Sequence, residues 1–141
     1  MEKLLVKRLF DDAVLPKRQT SGSAGYDLCS YVDYIIAPNS KQLVDTGVAF
    51  TVPEGTYGQL APRSGLSCKG THVGAGVIDR DYTGHVKVLL FNLNPTEELA
   101  VRKGDRVAQL LLKRISVCDV EEVDELPSTD RGSCGFGSTG M

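Results

Sequence analysis

Glycine and proline punctuate this chain so evenly that few windows remain for an ordinary helix. The 141 residues contain 15 Gly and 6 Pro, and a helix interior loses about 1 kcal/mol at each glycine and about 3 kcal/mol at each proline. Between these breaks lie short runs rich in Val, Ile, Leu, Thr and Tyr: LLVKRL (4–9), YVDYIIA (31–37), QLVDTGVAFTV (42–52), TYGQLA (56–61) and HVKVLLFN (85–92). β-favouring runs spaced at roughly 8–12 residues, separated by PEG, APRSG, DYTG and RKGD, predict an all-β sandwich or barrel. HVKVLLFN is apolar on both faces toward its end, as a strand buried between two layers is. The window DRVAQLLLKRI (105–115) supports two assignments. Ala108, Leu111, Leu112 and Ile115 fall at helical spacing with Asp105 available as a cap, whereas the surrounding pattern argues for strand.

Length and composition narrow the class. A chain of this size builds one domain with a sizeable core, and 41% hydrophobic with 24% charged residues is an ordinary globular balance. No apolar stretch is long enough to span a membrane, and the N-terminal MEKLLVKRLFDD mixes charges through its apolar residues, unlike a secretory signal. A net charge of −2, with no basic cluster, argues against a duplex nucleic-acid binder while leaving room for a small anionic ligand held by a few arginines. Cys29, Cys68, Cys118 and Cys134 are widely spaced and form no CxxC pair, so free thiols in a reducing compartment, cytoplasm or nucleus, are expected. His72 and His85 stand apart from any Cys/His cluster and read as surface or packing residues, not zinc ligands.

The composition changes near the end, which divides the chain into a body (1–127) and a Gly-rich tail (128–141). By composition the tail is a mobile segment with nothing to bury. Its grouping of Arg131, Phe136 and a Gly-Ser-Thr-Gly run also suits closure over an anionic, ring-bearing ligand. Glycine lets backbone amides approach phosphate oxygens, hydroxyls add donors, arginine adds charge and phenylalanine a stacking face.

Four further segments carry candidate chemistry. In AGYDL (24–28), Asp27 is either a strand-entry aspartate or a functional carboxylate. PRSGLS (62–67) puts an arginine, hydroxyls and a glycine on a tight turn, suiting phosphate or a helical turn capped by Ser64. Gln109 in GDRVAQL (104–110) is an amide inside an apolar run, satisfied by backbone or aimed at a ligand. GAGVIDRDYTG (74–84) reads as a hairpin turning near residues 80–83. Of its two carboxylates, Asp79 directly follows the apolar Val77 and Ile78 and is the one expected to point inward, as a general base for water must. A solvated D-R-D turn and a direct Mg²⁺ site are the competing readings. There is no GxSxG, Walker A or GxGxxG in a βαβ setting, which removes the common serine hydrolases, P-loop enzymes and dinucleotide folds.

Taken in order, AGYDL, PRSGLS, GVIDRDYTG, KGDRVAQL and RGSCGFGSTG resemble the five motifs of homotrimeric dUTP nucleotidohydrolases (dUTPases), and the resemblance runs from about residue 3 to the C-terminus. It implies a jelly-roll-like β-barrel assembled as a homotrimer with active sites shared between subunits, and a strand at 105–115. It implies cleavage of dUTP to dUMP and pyrophosphate, with Mg²⁺ chelated by the phosphate chain, limiting uracil in DNA and supplying dUMP for dTTP synthesis. Carried over by motif, Asp79 would activate the water that attacks the α-phosphorus and would contact the 3′-hydroxyl. Tyr82 would pack on the deoxyribose and exclude a 2′-hydroxyl. The backbone from Val73 to Gly76, continuing through Val77 and Ile78 and closing near Lys87, would pair with the uracil edge. Arg63, Ser64 and Gly65 would bind phosphates from a neighbouring subunit, with Gln109 positioning the chain. Asp27 would act on Mg²⁺ only indirectly, through water, or orient the catalytic segment. From the tail, Arg131 would clamp the γ-phosphate, Phe136 would stack on uracil, and Gly137, Ser138 and Thr139 would close over the triphosphate. A dCTP deaminase of the same fold is the nearest rival, but it calls for a Glu near the base and 74–84 has none. A non-catalytic jelly-roll interaction module has no need of the phosphate-binding tail together with Asp79 and Tyr82.

Overall fold

The structure, a computed structural model, describes residues 2–137. Among them are eleven strands and a single helical turn: β1 Leu5–Arg8, β2 Tyr26–Cys29, β3 Tyr34–Ile36, β4 Ser40–Asp45, β5 Val48–Thr51, β6 Thr56–Ala61, α1 Ser64–Ser67, β7 Thr71–Gly74, β8 Val77–Ile78, β9 Lys87–Asn92, β10 Leu99–Val101 and β11 Arg106–Arg114. Every pairing is antiparallel. The largest sheet runs β2-β11-β6-β8, a second runs β4-β9-β7, and β1-β5 and β3-β10 form two-stranded ribbons. The sheets surround one apolar core without closing into a continuous hydrogen-bonded barrel. Its centre is Leu28, Ile36, Val44, Val88, Leu90 and Leu110, all essentially inaccessible.

Local chemistry explains where the strands break. The apolar run 42–52 is two strands, β4 and β5, in different sheets, because the chain turns at Gly47, whose φ of +75° lies in the region that glycine enters without penalty. The 105–115 window is strand. Its helix-like spacing arises from a bulge between Arg106 and Ala108, which turns the consecutive residues Val107 and Ala108 inward. β11 is also a central strand, its backbone paired with β2 and β6 on its two edges; Leu110 is buried while Leu111 and Leu112 are only partly covered. Asp105 does not cap a helix; its carboxylate accepts the Arg102 N–H at 2.9 Å and closes the turn before β11. β9 alternates more cleanly than its sequence suggests, with Val88, Leu90 and Asn92 buried and Leu89 and Phe91 only half covered. Asn92 is satisfied internally: its amide donates to the carbonyls of Ile36, Ala37 and Glu97.

The segment 74–84 is a crossing between sheets and not one hairpin. β7 pairs with β9, whereas β8 pairs with β6. The composition that suggested a hairpin reflects the sharp bend needed to leave one sheet and enter the next. After β11, the Ile115 N–H still donates to the Gly55 carbonyl at 3.1 Å. Beyond it the chain carries no strand or helix through residue 137, and Val117, Val120, Leu126 and Phe136 are exposed. No helix among the described residues is long and apolar enough to cross a membrane.

Candidate active site

The predicted residues gather around two openings. A cavity of about 330 Å³ is lined by Ile78, Asp79, Tyr82, His85 and Lys87, with Leu60 behind them. Asp81 is not part of its wall; Asp79 is, although both carboxylates are exposed. The crossing that carries Asp79 is fixed at its base by Gly76, whose carbonyl accepts the Leu60 N–H at 2.7 Å. A side chain there has no room, since a Cβ would fall 2.5 Å from the Leu60 carbonyl oxygen and 2.6 Å from the Gln59 amide nitrogen. The preceding Ala75 holds φ at +47°, a left-handed conformation that costs a non-glycine residue on the order of 1–3 kcal/mol. The bend is therefore strained at the point where the chain changes sheets.

Tyr82 is half exposed and folds back over Gly84, where a Cβ would sit 2.8 Å from its hydroxyl. Its O–H donates to the His85 carbonyl at 2.6 Å, and the Tyr82 N–H closes a turn on the Asp79 carbonyl at 3.1 Å. Asp79 and Tyr82 thus move as one tight turn. Lys87 pairs with Asp45 at 3.4 Å across the rim.

The second opening, of about 380 Å³, is lined by Arg63, Gly65, Lys69, Gly104 and Arg106 among others. Strand register builds it. On β11, Gln109 lies opposite Asp27 of β2 on one side and Ala61 of β6 on the other, which brings Asp27, Gln109 and Arg63 together from three distant motifs. Gln109 donates to the Pro62 carbonyl at 2.9 Å. The Asp27 side chain, 12% exposed, receives Arg63 at 3.2 Å, Arg106 at 3.6 Å and the Gln19 amide at 2.8 Å. Arg63 also donates to the Arg106 carbonyl at 3.4 Å, so its guanidinium is oriented before any ligand arrives. Ser64 is the first residue of the helical turn, not its cap: Arg63 holds the cap position and no side chain caps the turn. Cys29 lies beside this cluster; burial, with the nearby Asp27 charge, pushes its thiol up, an inert environment for a cysteine.

The two openings share no lining residue; Asp27 reaches the second only through Arg63 and Arg106, and Ser64 and Gln109 line neither. Arg131, Phe136 and Gly137 lie at neither; Arg131 donates to the Cys134 carbonyl and the Phe136 ring is fully exposed. Ser138 and Thr139 fall outside the described residues. Arg106, Gly84 and His85 were not singled out by sequence reasoning as site residues. Arg106 sits inside KGDRVAQL, Gly84 closes the 76–84 motif and His85 directly follows it, so their positions were the available signal.

The donor set suits a cation carried by a ligand, not one caged by protein. Among the described residues no group of three His, Cys, Asp or Glu converges, and Asp27 already meets two guanidinium groups and an amide. Mg²⁺ commonly binds through one or two carboxylates plus substrate phosphates, and such an arrangement fits these residues.

Comparison with known proteins agrees with this geometry. The sequence matches the dUTPase family model over residues 11–140. It is 53% identical over 139 residues to the deoxyuridine 5′-triphosphate nucleotidohydrolase of avian adenovirus 8, covering 98% of this chain and 85% of that one. The fold superposes on the dUTPase of Staphylococcus bacteriophage 80alpha with bound dUpNHpp at a TM-score of 0.90 and 30% identity, covering both chains completely. A point mutant of the dUTPase from S. aureus phage phi11, described as coordinating a structural Mg(II) ion, matches at a TM-score of 0.82 and 27% identity over 87% of this chain and 97% of that one. With five ordered motifs, a matching fold and relatives more than half identical over nearly the whole chain, this chain belongs to the dUTPase family.

Proposed function

We infer that this chain hydrolyses dUTP to dUMP and pyrophosphate. The observation that carries the reading is the placement of Asp79 and Tyr82, held as one turn, on the wall of a cavity bounded by the strained 74–84 crossing, in a chain of this family. Uracil enters against the crossing backbone, whose close packing on β6 leaves no slack to admit a larger or differently substituted ring. The Tyr82 ring lies along the sugar and leaves no space for a 2′-hydroxyl. Asp79 takes a proton from a water, which attacks the α-phosphorus as the bond to the bridging oxygen of the β-phosphate breaks and pyrophosphate departs. Catalysis of this kind is mostly positioning and charge stabilisation.

Arg63, Ser64, Gly65 and Gln109 hold the phosphate chain, with Arg63 aligned by Asp27. Because Arg63 and Gly65 line a different opening from Asp79 and neither Ser64 nor Gln109 lines the Asp79 cavity, we place all four in the site of a neighbouring copy within a homotrimer. Asp27 would act on the hydration shell of a Mg²⁺ carried by the substrate and not as its ligand, and the ion would supply charge neutralisation to the phosphates. The tail supplies Arg131 to the γ-phosphate and Phe136 to the uracil face, with Gly137, Ser138 and Thr139 following over the triphosphate; closure excludes water from the site. Four free thiols suit a reducing, intracellular compartment.

The test is pyrophosphate release from dUTP, dCTP, dTTP and UTP with Mg²⁺, the full chain beside one truncated before Arg131. Release from dUTP alone, lost on truncation, is expected. Comparable release from all four would refute the uracil pocket, and no release from any would refute the enzymatic reading.

A further inference from the structure

His85 lies at the centre of a set of bonds that the reaction does not use. Its backbone carbonyl accepts the Tyr82 hydroxyl at 2.6 Å, and its ring Nε2 accepts the Gly47 N–H at 2.9 Å. The same stretch is sewn to the β4–β5 turn by three more bonds: Val86 N–H to the Val48 carbonyl at 2.9 Å, and the Thr46 hydroxyl at 2.6 Å and N–H at 3.4 Å to the Val86 carbonyl. The Gly47 carbonyl in turn accepts the Leu9 N–H at 2.9 Å. Gly47 itself is wedged against Tyr31, where a Cβ would fall 2.8 Å from the ring, so the donor that His85 meets cannot easily shift.

We propose that His85, with Nε2 unprotonated, is a positioning residue for deoxyribose selection: by accepting the Gly47 N–H it fixes the carbonyl that holds Tyr82 against the sugar. The proposal rests on the reading of Tyr82 as the deoxyribose wall. An acceptor nitrogen requires the tautomer with its proton on Nδ1. Protonating the ring turns Nε2 into a donor facing another donor, so the anchor fails and Tyr82 loses its fixed partner.

Ionisable groups face His85 from several elements. Asp79, Tyr82 and Lys87 share its cavity, and Asp45 on β4 pairs with Lys87. Beyond Gly47 stands Tyr31, bonded to Asp12, which also pairs with Lys103. Lys103 and Tyr31 hold the Asp12 carboxyl down at about 2, while that same carboxylate pushes Lys103 and Tyr31 up.

The experiment measures kcat/KM for dUTP and UTP in the full-length protein, together with melting temperature, for wild type, His85→Leu, His85→Gln and Tyr82→Phe, and for Tyr82→Phe combined with His85→Leu. The ratio of the two substrates cancels effects on the triphosphate, which they share. His85→Leu is expected to lower the dUTP:UTP ratio by roughly 2- to 10-fold, the worth of one hydrogen bond. Glutamine, which offers a carbonyl oxygen at similar reach, should restore it. In the Tyr82→Phe background, His85→Leu should have no further effect on the ratio. A His85→Leu protein that melts lower yet keeps the wild-type ratio would overturn the proposal, as would a full effect persisting in Tyr82→Phe. Should His85→Leu fail to fold, His85→Asn, whose shorter amide does not reach the Gly47 N–H, takes its place, and a wild-type ratio in that variant overturns the proposal equally. A wild type that hydrolyses dUTP and UTP alike refutes the Tyr82 reading itself, and the His85 role falls with it.

Discussion

Replacing Gly76 with alanine puts a methyl group where none fits. Its carbon would lie 2.5 Å from the Leu60 carbonyl oxygen, and that oxygen is backbone inside the four-stranded sheet, unable to rotate aside. The yielding part is β8, which is only two residues long and pairs through Gly58–Ile78 and Gln59–Val77. Pushing it off β6 lengthens the 2.7 Å bond from Leu60 N–H to the Gly76 carbonyl. Overpacking costs about 1–3 kcal/mol and a weakened backbone bond about 1 kcal/mol, so a loss of about 2–4 kcal/mol is expected. For a domain of this size that is a fall of roughly 5–15 °C in melting temperature. Asp79 is three residues downstream on the displaced segment, and a shift of about 1 Å in a reacting group costs about 100-fold in rate. Thermal melts monitored by circular dichroism, beside dUTP turnover measured below the melting range, read both quantities. Wild-type melting and wild-type turnover in Gly76→Ala would refute the view that this contact sets the position of Asp79.

Other substitutions separate stability from selectivity. Gly84→Ala meets the far end of the Tyr82 ring, which can swing away, so melting should change little while discrimination against UTP weakens. Asp12→Asn should lower the melting temperature modestly at neutral pH. The Asp12 carboxyl is held down at about 2 by Lys103 and then Tyr31, so its stabilising contribution is present above about pH 4 and is lost as pH falls toward 2; the gap between wild type and Asp12→Asn should close over that range. Of the four free thiols, Cys68, Cys118 and Cys134 are exposed and should react quickly with a disulfide reagent, whereas the half-buried Cys29 should react fully only after unfolding.

Strand content was legible because glycine and proline leave little else possible, and because β-favouring runs recur at roughly 8–12-residue spacing; the alternation of β9 was not, since its run of Leu89, Leu90 and Phe91 reads as apolar on both faces. The 105–115 window was not legible locally. A bulge that turns Val107 and Ala108 inward together, followed by a run of three leucines of which only Leu110 is fully buried, mimics the spacing of a helix, and only the partners β2 and β6 decide the matter. Asp79 and Tyr82 were readable because they share one short segment. The cluster of Asp27, Arg63, Arg106 and Gln109 is a product of strand register across β2, β11 and β6, and register between distant segments leaves no mark in local sequence. Arg106 was missed for that reason. His85 was missed because its work is done by a backbone carbonyl and a ring nitrogen aimed at a backbone amide, neither of which is visible as a motif.

The most direct test of Asp79 as the base is single-turnover hydrolysis of dUTP by Asp79→Asn, with binding of dUpNHpp measured on the same preparation. Loss of the carboxylate should slow the chemical step by at least about 10²–10⁴-fold while analogue binding persists within roughly tenfold. Turnover near the wild-type rate would contradict the assignment of water activation to Asp79.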